Sequence, residues 1–214
     1  MCTSLPGAVS KKYPTCSDVW GAADGIKLLI QSPLSHQKQL RFYNGWKSDH
    51  SVKLLLVFSV DGCICIAVIN GPGNFHDSTL ADYGVYSKLE HIYEEYGAKI
   101  VVDSAFKIGN APYLIKLSQT DPFDMDLILL NCKATSICQL SEWGMRMIQA
   151  SFPRLKDPLR YEEKGERFII LRLMINLFNF QTVSMGQNQI WNSYMDNNSF
   201  FGNQMVDDDF NQFI

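Results

Sequence analysis

Apolar runs separated by turn residues predict three strands in the first third of the chain. The run at residues 20–30 is interrupted by Asp24-Gly25, and the runs at 53–60 and 63–70 flank Asp61-Gly62. Asp-Gly supplies the positive φ that a two-residue type I′ turn needs at both positions. The last two runs are therefore expected to form an antiparallel β-hairpin.

A helix and a fourth strand follow in the pattern. The helix is predicted to begin near His76-Asp77-Ser78-Thr79, with Asp77 or Ser78 as its cap, and to end at Gly97. The prediction rests on Leu89, Ile92, Tyr93 and Tyr96, which recur at the i, i+3, i+4, i+7 spacing of one helix face. The short β-branched run at 99–102 predicts a strand that delivers Asp103 to its carboxyl end.

Two more helices are predicted after a loop-rich stretch that reaches about residue 135. The first covers residues 137–152 and is expected to end at Phe152-Pro153. The second, at about 167–182, is apolar nearly all round and is expected to be buried against the sheet. The order of elements indicates an α/β protein.

Composition places the chain among folded intracellular domains. It has 214 residues, 46% hydrophobic and 19% charged, which suffices for one sizeable core. Six cysteines without a CxxC pair, and an N-terminus without an apolar stretch, favour a reduced intracellular protein. The longest strongly apolar segment, 168–180, is too short to cross a bilayer, so we expect no membrane association.

Charge is distributed unevenly along the chain. The net charge of −3 argues against a uniformly basic nucleic-acid binder, but residues 1–60 hold seven Lys or Arg and three Asp. Residues 190–214 hold four Asp and no base. We therefore predict an N-terminal lead at 1–17, a domain at 18–190 and a flexible, acidic, Asn-rich tail at 191–214.

Three carboxylates stand apart from ordinary surface charge: Asp24 inside a strand, Asp103 at a strand end and Glu142 on a helix. A strand interior is a costly place for a carboxylate unless it is paired or bound to a cation. Three acids converging at one edge of a sheet could hold two Mg²⁺ or Mn²⁺ ions about 3.5–4 Å apart, which is the chemistry of phosphodiester cleavage.

Each of these residues also has a purely structural explanation. Asp24-Gly25 could form a turn, Asp103-Ser104 could cap a helix, and Glu142 could pair with Arg146 four residues later. His76 and Asp77 could supply an accessory ligand or proton carrier, although helix initiation is the preferred explanation for them.

A set of short motifs resembles the DDE superfamily endonuclease domain of PIF/Harbinger-type transposases and their domesticated nuclease relatives. Over about residues 18–190 the chain carries, in order, Trp20-Gly21, Asp24-Gly25, RFYNGWK (41–47) with His50 and Lys53, Asp61-Gly62, His76-Asp77-Ser78, VDSAF (102–106), Glu142-Trp143-Gly144 and FPRLK (152–156). The resemblance implies an RNase H-like fold with a central mixed sheet between helices.

The resemblance also implies the roles of individual residues. Asp24, Asp103 and Glu142 would be the catalytic and metal-binding triad, with Asp24 bridging two divalent ions, Mg²⁺ or Mn²⁺. Candidates for contacting substrate phosphate are Lys47, Lys53 and Arg146, although simple solvent exposure is the preferred explanation for any one of them.

DNA is the substrate that the resemblance implies, and the nucleus is then the expected location, with the cytoplasm as the alternative. Only 23 residues precede Asp24, and they show no amphipathic helical pattern. We therefore expect DNA targeting to depend on a separate DNA-binding protein. Two alternatives stay open: a catalytically inactive interaction protein on the same fold, and an RNA-processing nuclease of the broader RNase H-like type.

Overall fold

A computed structural model describes residues 9, 12–45, 48–104, 106, 111–116, 125–161, 163–186 and 188–194. The strands are β1 (Val19–Leu29), β2 (Tyr43–Asn44), β3 (Asp49–Ser59), β4 (Ile64–Pro72), β5 (Lys99–Val102) and β6 (Leu114–Lys116). The α-helices are α1 (His36–Phe42), α2 (Asp77–Ala81), α3 (Val85–Tyr96), α4 (Met125–Ser151), α5 (Lys164–Met185) and α6 (Gln189–Tyr194). Short 3₁₀ helices occupy Pro14–Cys16 and Pro153–Lys156.

The strands form one mixed sheet in the order β4-β3-β1-β5-β6, and β2 pairs with the beginning of β3. The pairs β1 with β3 and β3 with β4 are antiparallel, whereas β1 with β5 and β5 with β6 are parallel. Helices cover both faces, which confirms the predicted α/β, RNase H-like fold.

Two hydrophobic clusters lie on opposite faces of the sheet. On β3, alternate residues such as Leu54 and Leu56 pack beneath α4 and α5, and the residues between them, such as Leu55 and Val57, pack beneath α2 and α3. This alternation follows from the two-residue period of a strand. Because helices cover both faces of the sheet, consecutive residues of β3 are apolar instead of alternating between apolar and polar.

The hairpin at Asp61-Gly62 is confirmed, but the predicted type I′ turn is wrong. Gly62 has φ +86°, whereas Asp61 does not have a positive φ. The Gly62 amide donates to the Ser59 carbonyl at 2.9 Å, and the Asp61 carboxylate accepts from the Cys63 amide at 2.9 Å. A four-residue turn that ends in the left-handed Gly62 closes the hairpin, and the Asp61 side chain supports it by bonding the backbone two residues on.

The single helix predicted between His76 and Gly97 is two helices. Gly84, with φ +102°, separates α2 from α3. The capping prediction is also wrong, because His76 holds the N-cap position of α2 and no side chain caps the helix. Gly97 ends α3 as predicted, with φ +66° and its amide bonded to the Tyr93 carbonyl.

The stretch before residue 135 contains more structure than predicted. It includes β6, whose three residues are too few for a periodic pattern, and the first ten residues of α4. Leu129 and Leu130 are exposed there, so this part of α4 has no clean one-sided apolar stripe. The predicted end of α4 before Phe152-Pro153 is confirmed.

Helix α5 is not buried all round, contrary to the prediction. One face is buried, through Arg167, Leu171, Met174, Ile175 and Phe178. The remaining apolar residues are largely exposed, because α5 lies along the edge strand β4 with nothing in the described chain on its other side. Of the described helices, α5 alone has the length and apolar composition of a membrane span, although only 22% of that apolar window is buried.

The folded chain continues past residue 190. Helix α6 contributes Ile190 and Tyr194 to the core beside α4 and α5. The remainder of the predicted tail, 195–214, lies outside the described residues, as do most of residues 1–11.

Candidate active site

Asp24 and Asp103 lie side by side on adjacent parallel strands. Ala23 of β1 pairs with Val102, the last residue of β5, and the next residue in each case is the aspartate. Ala22 and Val101 both belong to the core under α4. Strand alternation therefore points both carboxylates to that same face, where each is half-buried.

Glu142 is carried by α4, the helix that covers this face. Ile137, Leu140 and Ile148 anchor α4 in the core. Gly144 allows a close approach to β3, because a Cβ at that position would overlap the ring of Phe58. Glu142 stays exposed over 59% of its side chain, with its carboxylate 3.9 Å from the Arg146 guanidinium.

The charges of these acids act on one another. Burial, and to a smaller extent the negative charges of Asp103, Asp77 and Glu142, raise the pKa of Asp24 to about 6. A bond from the Gly25 amide to Asp24 Oδ1, at 2.6 Å, opposes the increase. All three predicted acids thus lie within electrostatic reach of one site.

Cys138, which sequence reasoning missed, lies among the same acids. Burial raises the pKa of its thiol to about 12, with further contributions from Asp103, Asp24 and Glu142. Its position four residues before Glu142 was a usable signal, since residues i and i+4 share a helix face.

Carboxylate oxygens are the donors that Mg²⁺ and Mn²⁺ prefer, so Asp24, Asp103 and Glu142 fit such ions by chemistry and by their common face. A cation would also offset the burial and the neighbouring negative charges that together raise the pKa of Asp24. In the described part of the chain, however, no three His, Cys, Asp or Glu side chains are grouped closely enough to hold a metal ion.

A buried ion pair lies behind the acids, on the opposite face of the sheet. Lys53 Nζ is 2.8 Å from Asp77 Oδ2 and also donates to the Phe75 carbonyl at 3.3 Å. Gly25 makes room for this pair, since a Cβ there would overlap the Asp77 carboxylate. Asp77 Oδ1 is buried and has no hydrogen-bond partner among the described residues.

The remaining predicted residues have different surroundings. Lys53 and Asp77 form an ion pair with each other on the face of the sheet opposite the three acids. Lys53 would therefore have to break this pair to contact a substrate phosphate. His76 is exposed at the start of α2, and Arg146 is 76% exposed beside Glu142. Lys47 lies outside the described residues.

A mixed sheet flanked by helices, with Asp24 inside β1, Asp103 directly after the parallel strand β5 and Glu142 on the covering helix, is consistent with an RNase H-like fold. The chain matches the family model described as DDE superfamily endonuclease over residues 23–179. It therefore belongs to the DDE superfamily endonuclease family, whose members generally use divalent metals, and the match includes all three acids. No curated protein sequence and no solved structure gives a significant match.

Proposed function

We propose that this protein is a transposase-derived, divalent-metal-dependent DNA endonuclease of PIF/Harbinger type, with Asp24, Asp103 and Glu142 as its catalytic residues. The observation that supports the proposal best is the placement of Asp24 beside Asp103 on adjacent strands, under the helix that carries Glu142. The pKa of Asp24, raised in part by the other two charges, supports a shared site.

The three carboxylates would hold the ions through their oxygens. Two divalent cations, when bound, would supply charge stabilisation at the attacking and leaving oxygens of a phosphodiester. Asp24 is held in place by the bond from the Gly25 amide, and its carboxyl must ionise to act as a ligand. A cation favours that ionised form at neutral pH.

Glu142 is the acid with the most freedom to reorient. Its link to Arg146 is an exposed pair at 3.9 Å, and such pairs contribute only about 0–1 kcal/mol. Glu142 can therefore turn toward the strand acids at small cost. Arg146 would then be available for a substrate phosphate, and Lys47 is proposed for the same role.

Lys53 has a positioning role in this scheme. Its buried pair with Asp77 supports β1 from behind at Gly25, directly next to Asp24. The lysine neutralises Asp77, whose charge otherwise adds to the repulsion at Asp24. This assignment replaces direct contact with phosphate for Lys53.

DNA is the substrate implied by the family, and a separate DNA-binding protein is proposed as the partner in the nucleus. The net charge of −3 gives the chain weak intrinsic affinity for a polyanion. What affinity it has should fall steeply with salt, since each phosphate contact releases counterions. A partner that binds DNA would supply the affinity that the chain lacks.

Nicking of supercoiled plasmid at low salt, with Mg²⁺ or Mn²⁺, tests the proposal. Wild type should nick DNA, and Asp24→Asn, Asp103→Asn and Glu142→Gln should each reduce nicking to background. Glu94→Gln, an exposed substitution on α3, is the matched control and should retain full activity.

The alternative is a catalytically inactive interaction protein on the same fold. It is favoured by the absence of a three-ligand group among the described residues. If wild type and the triad variants nick equally, or if wild type neither binds metal nor nicks DNA, the nuclease proposal fails and this alternative replaces it.

A further inference from the structure

Helix α5 has an exposed apolar stripe that no other element of the described chain covers. We define this outer stripe as Ile169, Ile170, Leu173, Leu177, Phe180 and Val183. These six residues are between 47% and 71% exposed, and the exposed residues Phe168 and Met185 precede and follow them along the helix. The largest exposed apolar patch on a protein is often a functional contact surface.

Hydrogen bonds fix the orientation of α5 and keep the outer stripe outside. The Asn179 side chain accepts from the Ile64 amide at 2.8 Å and donates to the Ile64 carbonyl at 2.9 Å, on the edge strand β4. One turn into the helix, Arg167 donates to Asn70 Oδ1 at 2.6 Å. Rolling α5 to bury the stripe would break both attachments.

The spacing of the outer stripe suits another helix. From Ile170 the residues recur at steps of three and four, through Leu173, Leu177 and Phe180. This is the spacing of a helix–helix seam, in which each side chain enters a space between residues of the facing helix. The stripe continues for about four turns, long enough for such a seam.

The exposed area is close to what a reversible dimer requires. At about 100 Å² of apolar surface for each fully exposed side chain, the stripe and its two flanking residues expose on the order of 450 Å². Two copies would bury about 900 Å² from these residues, and the polar side chains between them add to it. Specific interfaces begin near 1,000 Å² in total, so the expected dimer is of modest affinity.

Charge favours a second copy over a membrane. Arg172 is the only charged residue between 168 and 185. Helices that lie on a bilayer surface carry rows of Lys and Arg, which α5 lacks, and spanning a bilayer would require α5 to leave β4. An antiparallel pair would keep the two copies of Arg172 apart and would oppose the helix dipoles.

We propose that α5 is a homodimer interface, in which the outer stripe packs antiparallel against the same stripe of a second copy. The proposal is independent of the nuclease activity. It gives the chain a contact surface at the β4 edge of the sheet, separated by β3 from the strand that bears Asp24.

Sedimentation equilibrium of the full chain, from low micromolar to a few hundred micromolar, tests the proposal. Wild type should shift from monomer to twice the monomer mass as concentration rises. Leu177→Glu should stay monomeric with an unchanged unfolding temperature, because Leu177 is half exposed already. Leu34→Glu, at a residue 92% exposed before α1, is the matched control and should dimerise like wild type.

Charge reversal provides a second measurement. Leu177→Glu and Leu177→Lys should each be monomeric, and mixing them should restore a dimer. A wild type that is monomeric throughout would overturn the proposal, and so would dimers that survive Leu177→Glu. Cosedimentation of wild type with lipid vesicles, abolished by Leu177→Glu, would also overturn it in favour of a membrane surface.

Discussion

Replacing Asp24 with Asn should stabilise the metal-free protein at neutral pH. Burial and the neighbouring acids raise the pKa of Asp24 from 3.8 to about 6, so the ionised carboxylate is less stable in the folded protein than in the unfolded chain. Asn is uncharged, has nearly the same shape and can still accept from the Gly25 amide. The substitution therefore removes the charge and keeps the hydrogen bond.

The size and pH dependence of the effect follow from the pKa values. A pKa raised from 3.8 to about 6 corresponds to about 3 kcal/mol of lost stability once the group is ionised. Below pH 3.8 the carboxyl is protonated in both states, so it costs nothing. As pH rises toward 6 the unfolded chain releases the proton first, and the cost is complete above pH 6.

Urea unfolding between pH 4 and pH 8, without metal, measures this directly. The stability of Asp24→Asn relative to wild type should grow from near zero at pH 4 to about 2–3 kcal/mol at pH 7. Glu94→Gln should show no such trend. An Asp24→Asn protein that is less stable than wild type at pH 7 would refute the electrostatic crowding inferred at this site.

Two further substitutions test the packing around the site. Lys53→Ala should destabilise the protein by about 3–5 kcal/mol in urea unfolding, because it leaves the Asp77 charge buried and unpaired; a loss near zero would show that Asp77 is solvated. Gly144→Ala should destabilise by about 1–3 kcal/mol through overlap with Phe58, whereas Gly165→Ala, with open space around its Cβ, should stabilise by about 0.4–1 kcal/mol. Equal effects at the two glycines would contradict the close helix–strand contact.

The sequence pattern was sufficient to predict the central strands and the positions of Asp24 and Asp103 within or directly after them. β1, β3, β4 and β5 are apolar or β-branched runs bounded by turn residues, so their period and boundaries were readable. Asp24 and Asp103 were identified because a carboxylate within or at the end of such a run is unusual.

Other features could not be predicted from the sequence because they depend on contacts between elements that are distant along the chain. The pairing of Lys53 with Asp77 under Gly25 depends on which faces α2 and β3 present to each other. Helix α5 is apolar on nearly all sides, and composition alone does not tell which side another element covers. The turn at Asp61 was misassigned because its side chain competes for the backbone amide of Cys63.

Metal binding by the native protein tests the central claim most directly. Thermal unfolding of wild type, Asp24→Asn and Asp103→Asn should be compared with and without Mg²⁺ or Mn²⁺. At a metal concentration about 100 times Kd, a site in the native state adds about 2.7 kcal/mol of stability. Stabilisation of wild type that both variants lose is the predicted result, and no stabilisation by either ion at millimolar concentration would contradict the account.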